Sequence, residues 1–425
     1  MAEVEVEREP GMSAVRAGVD LLVGIPVLPD ADALSALATR LREAAQSMRR
    51  GYSIILAVPG ESGAGAPASL PAELAEWEPG SFSVQTFPAT TTPNPTGISW
   101  LAHQASLRPI AAMAATAQAR VCVSLDPDLS LNPELMPASR LALLMDPIAE
   151  GGFDLVMPWY ASGPFDDLAT RSILYPLMRA LYGSRLQNPL GTMFSASGQL
   201  FPLIAQGLQA DAARKPDMQP IPAVLAASRS LKICQVRMCA RPHPAEAPDL
   251  SEALAQLAGP LFLEMEETAP VWQRVRGSHE IPCFGTASDP LPTADAVDVR
   301  PYMEAFQLGV RNLREIWSVV LPPVTLLELK KLSLMPAAEF RMPDALWARI
   351  IYDFALAHRL RSIRRNHLFG ALTPLYLGWV ASYAGQANAG GAAAAQGLIE
   401  QLARTFDSEK AYLVSRWRWP DRFQP

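Results

Sequence analysis

Apolar residues follow two different rhythms along this chain. In the first part, short unbroken apolar runs alternate with amphipathic stretches. The run Asp20-Leu21-Leu22-Val23-Gly24-Ile25-Pro26-Val27 reads as a buried strand ended by proline. Asp30 or Asp32 then caps a helix whose apolar face is Leu34, Leu37, Leu41 and Ala45. Tyr52 to Val58 is a second buried strand, broken by Pro59-Gly60, and Ser81 to Phe87 is a short third candidate. A helical stretch over 100–117 leads to the buried strand Arg120 to Leu125, which ends in Asp126-Pro127-Asp128. Asn132-Pro133-Glu134 carries helix-start signals, and the spacing predicts a helix from there to Gly151-Gly152. Phe153 to Trp159 reads as a further strand.

The rhythm changes near residue 245. Asp249-Leu250-Ser251-Glu252 is a capping box ahead of Leu254, Leu257 and Leu261. A polar, Pro-rich connection over 277–299 precedes helical patterns at 300–320, 322–333, 344–365, 367–384 and 392–407. The Gly/Ala-rich patch Gly385 to Ala395 reads as a linker between helices. The expected architecture is therefore α/β with a mainly parallel sheet sandwiched by helices, plus an all-helical C-terminal domain. The expected divisions are a disordered acidic tail at 1–17, a sheet domain at 18–245 and a helical domain at 246–425.

Composition narrows the function classes. A chain of 425 residues, 49% hydrophobic and 18% charged, is long enough for two cores and is not globally disordered. A formal charge of −6 gives no field for nucleic acid, so a phosphate-bearing ligand needs a metal ion or a helix N-terminus. Cys122, Cys234, Cys239 and Cys283 form no metal-ligand spacing and no disulfide framework, and the acidic N-terminus lacks a signal-peptide pattern. A cytoplasmic location is expected. Leu368 to Ala384 is uncharged but too short to span a bilayer, and Pro374 favours a buried helix. The basic flank Arg361, Arg364 and Arg365 leaves peripheral membrane contact open.

Asp126-Pro127-Asp128 is the strongest chemical signal, because open α/β sheets bind ligands at strand carboxyl ends. Two carboxylates there suit Mg²⁺ or Mn²⁺, which can neutralise a departing diphosphate. A polar turn after a strand gives the same pattern, and Asp30-Ala31-Asp32 is such a case, a plain helix cap. His243, held between Pro242 and Pro244, is either an exposed loop residue or a third ligand beside two carboxylates. His103, His358 and His367 read as structural or solvated, and His279 as surface. No nucleophile elbow, P-loop or dinucleotide fingerprint is present.

The order of Val23-Gly24-Ile25-Pro26, Leu125-Asp126-Pro127-Asp128-Leu129 and Tyr175-Pro176-Leu177-Met178-Arg179-Ala180-Leu181-Tyr182-Gly183 resembles GT-A glycosyltransferases. Among these it is similar to the glucosyl-3-phosphoglycerate and mannosylglycerate synthases. The stretches 346–354 and 372–378 are similar to that group's helical domain. The resemblance spans roughly residues 20 to 385. It implies a metal site at Asp126, Asp128 and His243, and donor contacts at Ile25, Pro26, Glu61 and Asp126. It further implies substrate contacts at Gly191 and Thr192, and retaining transfer of a hexose from a nucleotide-diphosphate sugar to a small glycerate-like acceptor. It names no catalytic residue here.

The chain also departs from that group. Ala57-Val58-Pro59-Gly60-Glu61-Ser62 lacks the acid after the second strand unless Glu61 substitutes by a two-residue shift. Ile98 stands where a lysine is expected, and Met193 where an acid is expected. Tyr160-Ala161-Ser162-Gly163 lacks a basic pair, and Asp166 and Asp167 are the nearest replacement carboxylates. Each such loss costs an enzyme on the order of 2–4 kcal/mol of transition-state stabilisation. Two readings compete: an active metal-dependent hexosyltransferase, and a degenerate transferase that binds a nucleotide or a partner protein without turnover. A metal-dependent phosphohydrolase is weaker, having no general base. A homo-oligomer is compatible with either.

Overall fold

The computed structural model describes residues 19–48, 52–60, 82–88, 100–212, 221–240, 249–286, 296–337 and 339–420. The expected tail at 1–17 lies outside them, as do Glu61, Ile98 and His243. The chain forms two compact units. The first comprises Met1–Trp159, Gly191–Pro242 and Pro282–Ala287, and the second Tyr160–Leu190, His243–Ile281 and Ser288–Pro425. Both are discontinuous in sequence, because the stretch 160–190 belongs to the second unit and 191–242 returns to the first.

The first unit is built on an eight-stranded mixed sheet with the order β3-β2-β1-β4-β6-β5-β7-β8. The strands are β1 (Leu21–Gly24), β2 (Ile54–Gly60), β3 (Phe82–Pro88), β4 (Val121–Ser124), β5 (Leu155–Ala161), β6 (Phe194–Ser197), β7 (Ile233–Ala240) and β8 (Cys283–Phe284). β3, β2, β1 and β4 are mutually parallel, whereas β6 runs antiparallel to both β4 and β5. The Pro-rich connection after residue 277 thus contributes an edge strand, β8, parallel to β7.

Continuous apolar runs make these strands because both faces are covered. Every residue of β1 and β4 is buried. Helix α1 (Ala31–Ser47) starts where Asp30 Oδ1 accepts the Ala33 N–H at 2.8 Å. It buries Leu34, Leu37, Ala38 and Leu41 on one stripe, and each fully buried leucine contributes about 1.5–3 kcal/mol. Helix α2 (Trp100–Thr116) passes so close to β1 that a Cβ on Gly24 would lie 2.6 Å from Ile110, so this position excludes larger side chains.

The helix expected from Asn132 begins later. A single turn, α3 (Pro127–Ser130), follows β4, and α4 (Ala138–Ala149) starts only after Pro137. Proline disfavours the helical region for the residue before it, so the turn ahead of Pro137 cannot propagate. Asn132 Oδ1 instead accepts the Glu134 N–H at 2.9 Å and closes a turn. Helices α5 (Tyr175–Tyr182), α6 (Leu200–Ala212) and α7 (Pro222–Ser228) come next; α5 is preceded by a π-helical turn at Thr170–Leu174 and lies in the second unit.

The second unit also holds α8 (Leu250–Glu267), α9 (Ala269–Trp272), α10 (Arg300–Asn312), α11 (Arg314–Val320), α12 (Pro323–Leu332), α13 (Asp344–Leu360) and α14 (Arg365–Arg418). Regular structure described after residue 300 is helical. The Gly/Ala-rich patch is not a linker: α14 runs unbroken through Gly385 to Ala395 for 54 residues. Its alanines are the best helix formers, and they offset the roughly 1 kcal/mol that each glycine costs. Leu368, Phe369, Leu372 and Leu375 are buried within the unit, and among the described residues no helix is long and apolar enough to cross a membrane.

Polar anchors hold this unit's core. Trp347 Nε1 donates to the Ser172 carbonyl at 3.1 Å and Trp317 Nε1 to that of Ala371 at 2.9 Å. Buried Arg179 on α5 pairs with Glu400 at 3.0 Å and Asp407 at 2.7 Å, both on α14. That pairing ties the 160–190 stretch to α14 of the helical unit. His358 lies 3.3 Å from Glu266 and edge-on to Phe262, a structural setting, while His279 and His367 are exposed.

Candidate functional site

The chain leaves β1 to build β2 and β3 on one side, then returns to build β4 on the other side of β1. The gap between the carboxyl ends of β1 and β4 is therefore a topological switch point, where open α/β sheets leave a crevice for ligands. The ladder continues just past the strands, with Leu125 N–H donating to the Gly24 carbonyl at 2.9 Å and Ile25 N–H to that of Ala57 at 3.0 Å. Ile25 is fully buried and Pro26 is half-buried at this edge.

Asp126 follows directly and is only 3% exposed. A buried carboxylate is costly unless it is hydrogen-bonded, and here its partners come from two segments. Asp126 Oδ1 accepts the Asp128 N–H at 3.1 Å, capping α3, while its carbonyl accepts Ser130 N–H at 2.8 Å. Asp126 Oδ2 accepts the Thr192 hydroxyl at 2.5 Å. Thr192 reaches this edge because β6 is antiparallel to β4, with Phe194 opposite Ser124, so the amino end of β6 meets the carboxyl end of β4. Ser124 Oγ donates in turn to the Thr192 carbonyl at 3.2 Å. The Asp128 side chain, by contrast, is exposed.

The site thus brings together Asp126, Asp128 and Thr192, with Gly191 buried beside Thr192. Met193 is fully buried. Among the described residues no three His, Cys, Asp or Glu side chains converge as a metal cluster. The donor set of Asp126 and Asp128, two hard carboxylates with one buried and one open to solvent, fits Mg²⁺ or Mn²⁺. Asp166 sits in the second unit, where its Oδ2 accepts the Gly163 N–H at 2.6 Å and closes a turn stiffened by Arg171. Asp167 is exposed with φ of 49°.

Sequence reasoning passed over Ser124 and did not foresee that Thr192 contacts Asp126. The available signal was a hydroxyl inside an otherwise apolar buried run, which must find a partner.

No family model and no curated protein sequence matches the chain. By structure, it is similar to GT-A nucleotide-sugar transferases. Glucosyl-3-phosphoglycerate synthase from Mycobacterium tuberculosis, in complex with Mn²⁺, UDP-glucose and phosphoglyceric acid, is 18% identical. The match covers 62% of this chain and 86% of that one, with a TM-score of 0.33. Mannosyl-3-phosphoglycerate synthase from Rubrobacter xylanophilus is 15% identical over 61% and 77% of the two chains, with a TM-score of 0.35. A mannosyltransferase from Pyrobaculum calidifontis, in complex with GDP-Man and Mn²⁺, is 12% identical over 95% and 90%, with a TM-score of 0.34. At these overlaps the similarity assigns no residue and no activity to this chain.

Proposed function

We propose that this protein binds a nucleotide-diphosphate sugar at the β1–β4 switch point and transfers its hexose to a small, glycerate-like acceptor. The observation carrying the reading is the Asp126–Asp128 pair. One carboxylate is buried and fixed by Thr192, and the other is exposed on the same ledge. A fixed carboxylate beside an exposed one suits a divalent cation whose remaining positions go to phosphate oxygens. Mg²⁺ or Mn²⁺ held by Asp126, Asp128 and, from outside the described residues, His243 would offset the charge on a departing diphosphate. The protein's own part is to orient. Ile25, Pro26, Glu61 and Asp126 are the donor-side contacts of the proposal, and Gly191 and Thr192 the substrate contacts. In the transfer, the anomeric carbon–oxygen bond to diphosphate breaks and a bond to an acceptor hydroxyl forms, with loss of that hydroxyl's proton. Retention of anomeric configuration is part of the proposal.

One observation favours a second reading, a binder without turnover. Met193 is apolar and fully buried where the resemblance calls for a carboxylate. Radiolabelled UDP-glucose and GDP-mannose, incubated with Mn²⁺ and either glycerate or 3-phosphoglycerate, separate the two. Labelled product that disappears in Asp128→Ala supports the transferase. Mn²⁺-dependent binding without product supports the binder. Neither binding nor product sinks both.

A further inference from the structure

Several chain segments of the helical unit meet at one basic end. Helix α13 closes with Arg359, Leu360 and Arg361, and Arg364 precedes α14. Helix α14 closes with Trp417, Arg418 and Trp419, and the segment after α9 carries Arg274 and Arg276. Contacts join these pieces. Arg359 Nη1 donates to the Trp417 carbonyl at 2.7 Å, and its guanidinium lies 4.6 Å from the centre of the Trp417 ring. Trp417 packs edge-on to Trp272 at 5.3 Å, and Arg418 Nε donates to Gln273 Oε1 at 2.7 Å. Arg276 Nη1 donates to the Gln273 carbonyl at 3.0 Å.

Arg274, Arg276, Arg361, Arg364 and Arg418 are all exposed, and none of the five forms an ion pair among the described residues. Of the acids nearby, Glu266 faces His358 at 3.3 Å and Glu267 is exposed at the end of α8. Arg418, in the last turn of α14, complements the helix dipole. Helix stability does not account for the others. Arg364 is the N-cap of α14, where positive charge opposes the dipole, and no acid stands in that first turn. Arg361 takes a left-handed φ of 53°, a helix-end conformation that favours glycine. Beside these charges Trp419 is 57% exposed and Leu360 42%.

We propose that this end of the helical unit docks on an anionic lipid bilayer. Guanidinium groups meet the phosphates, while an indole and a leucine chain enter the boundary between headgroups and acyl chains. A nucleic-acid backbone would engage the arginines and leave Leu360 in water. The chain's overall charge of −6 does not oppose the contact, because at physiological salt a charge is felt over only about 8 Å. The proposal is independent of what the Asp126 site binds.

Co-sedimentation of the full chain with vesicles tests it, comparing phosphatidylglycerol in phosphatidylcholine with phosphatidylcholine alone. The wild type is expected to pellet with the anionic vesicles only, and to leave them as NaCl approaches about 1 M. Arg361→Gly combined with Arg418→Gln should lower the partition by roughly twentyfold, about fivefold per charge, with an unchanged far-UV spectrum. Trp419→Ala should weaken it too. Lys330→Gln with Lys331→Gln, which removes as much charge from α12, should leave it unchanged. A wild type that ignores anionic vesicles overturns the proposal, as does an equal loss in the α12 variant. So does a wild type that binds duplex DNA but no vesicle, which would give this end to a nucleic acid.

Discussion

The Thr192 hydroxyl donates to Asp126 Oδ2 at 2.5 Å, linking the amino end of β6 to the carboxyl end of β4 across 66 residues of sequence. Together with the Asp128 N–H, from a separate segment, it holds a buried carboxylate at the ligand edge of the sheet. Thr192→Val keeps the shape and removes the donor. Leaving a buried carboxylate oxygen short of a partner typically costs about 1–3 kcal/mol. Urea unfolding should show that loss, and calorimetric titration should show weaker Mn²⁺ binding. Thr192→Ser should recover both. Unchanged stability and Mn²⁺ affinity in Thr192→Val would remove Thr192 from the site.

The two aspartates should separate in their effects. Asp128 is exposed, so Asp128→Ala is expected to change stability by no more than about 0.5 kcal/mol while abolishing Mn²⁺-dependent ligand binding. Asp126 caps α3 and accepts from Thr192, so Asp126→Ala should lower both stability and binding. Denaturant midpoints measured beside binding isotherms check this. Equal destabilisation by the two substitutions would contradict the assigned asymmetry.

In the helical unit, burial pushes the Asp353 carboxyl up to about 7 from the ordinary 3.8, against the opposing pull of Arg416, the Tyr412 hydroxyl and Arg349. Between those values the folded chain holds a proton that the unfolded chain has released. This group's contribution to stability therefore falls as pH rises from about 4 to about 7, and is level on either side. Asp353→Asn should remove that slope, so wild-type minus variant stability declines across the window. Parallel profiles for the two proteins would refute it.

Gly309 on α10 sits where an added Cβ would lie 2.6 Å from Pro374 Cβ on α14. A proline ring cannot swing aside, so Gly309→Ala should destabilise the helical unit by about 1–3 kcal/mol through overpacking. Thermal unfolding checks the effect. A wild-type melting temperature in Gly309→Ala would show that the crossing can open.

Strands such as Leu21–Gly24 and Val121–Ser124 were legible because they are apolar on both faces. In contrast, β6, β7 and β8 were not foreseen, β6 because its sequence Phe-Ser-Ala-Ser carries no apolar run and β8 because it is only two residues long. The break before α4 was misplaced because Asn132-Pro133-Glu134 carries local start signals that Pro137, five residues beyond Asn132, overrides. The unbroken run of α14 through Gly385 was missed because glycine reads locally as a breaker, while the alanines around it and the helix's buried face decide the outcome. Asp126 could be found from its place after a strand. Its contact with Thr192 could not, because it depends on β6 entering antiparallel, a property of the sheet that neither segment carries alone.

The central claim, that the Asp126–Asp128 ledge binds a nucleotide-diphosphate sugar through a divalent cation, is tested most directly by isothermal titration of UDP-glucose and GDP-mannose into the full chain. The account predicts saturable binding of at least one of them in Mn²⁺, lost on chelation with EDTA and lost in Asp128→Asn while the fold is retained. Binding that persists unchanged in Asp128→Asn, or no binding of either sugar nucleotide in the presence of Mn²⁺, would contradict it.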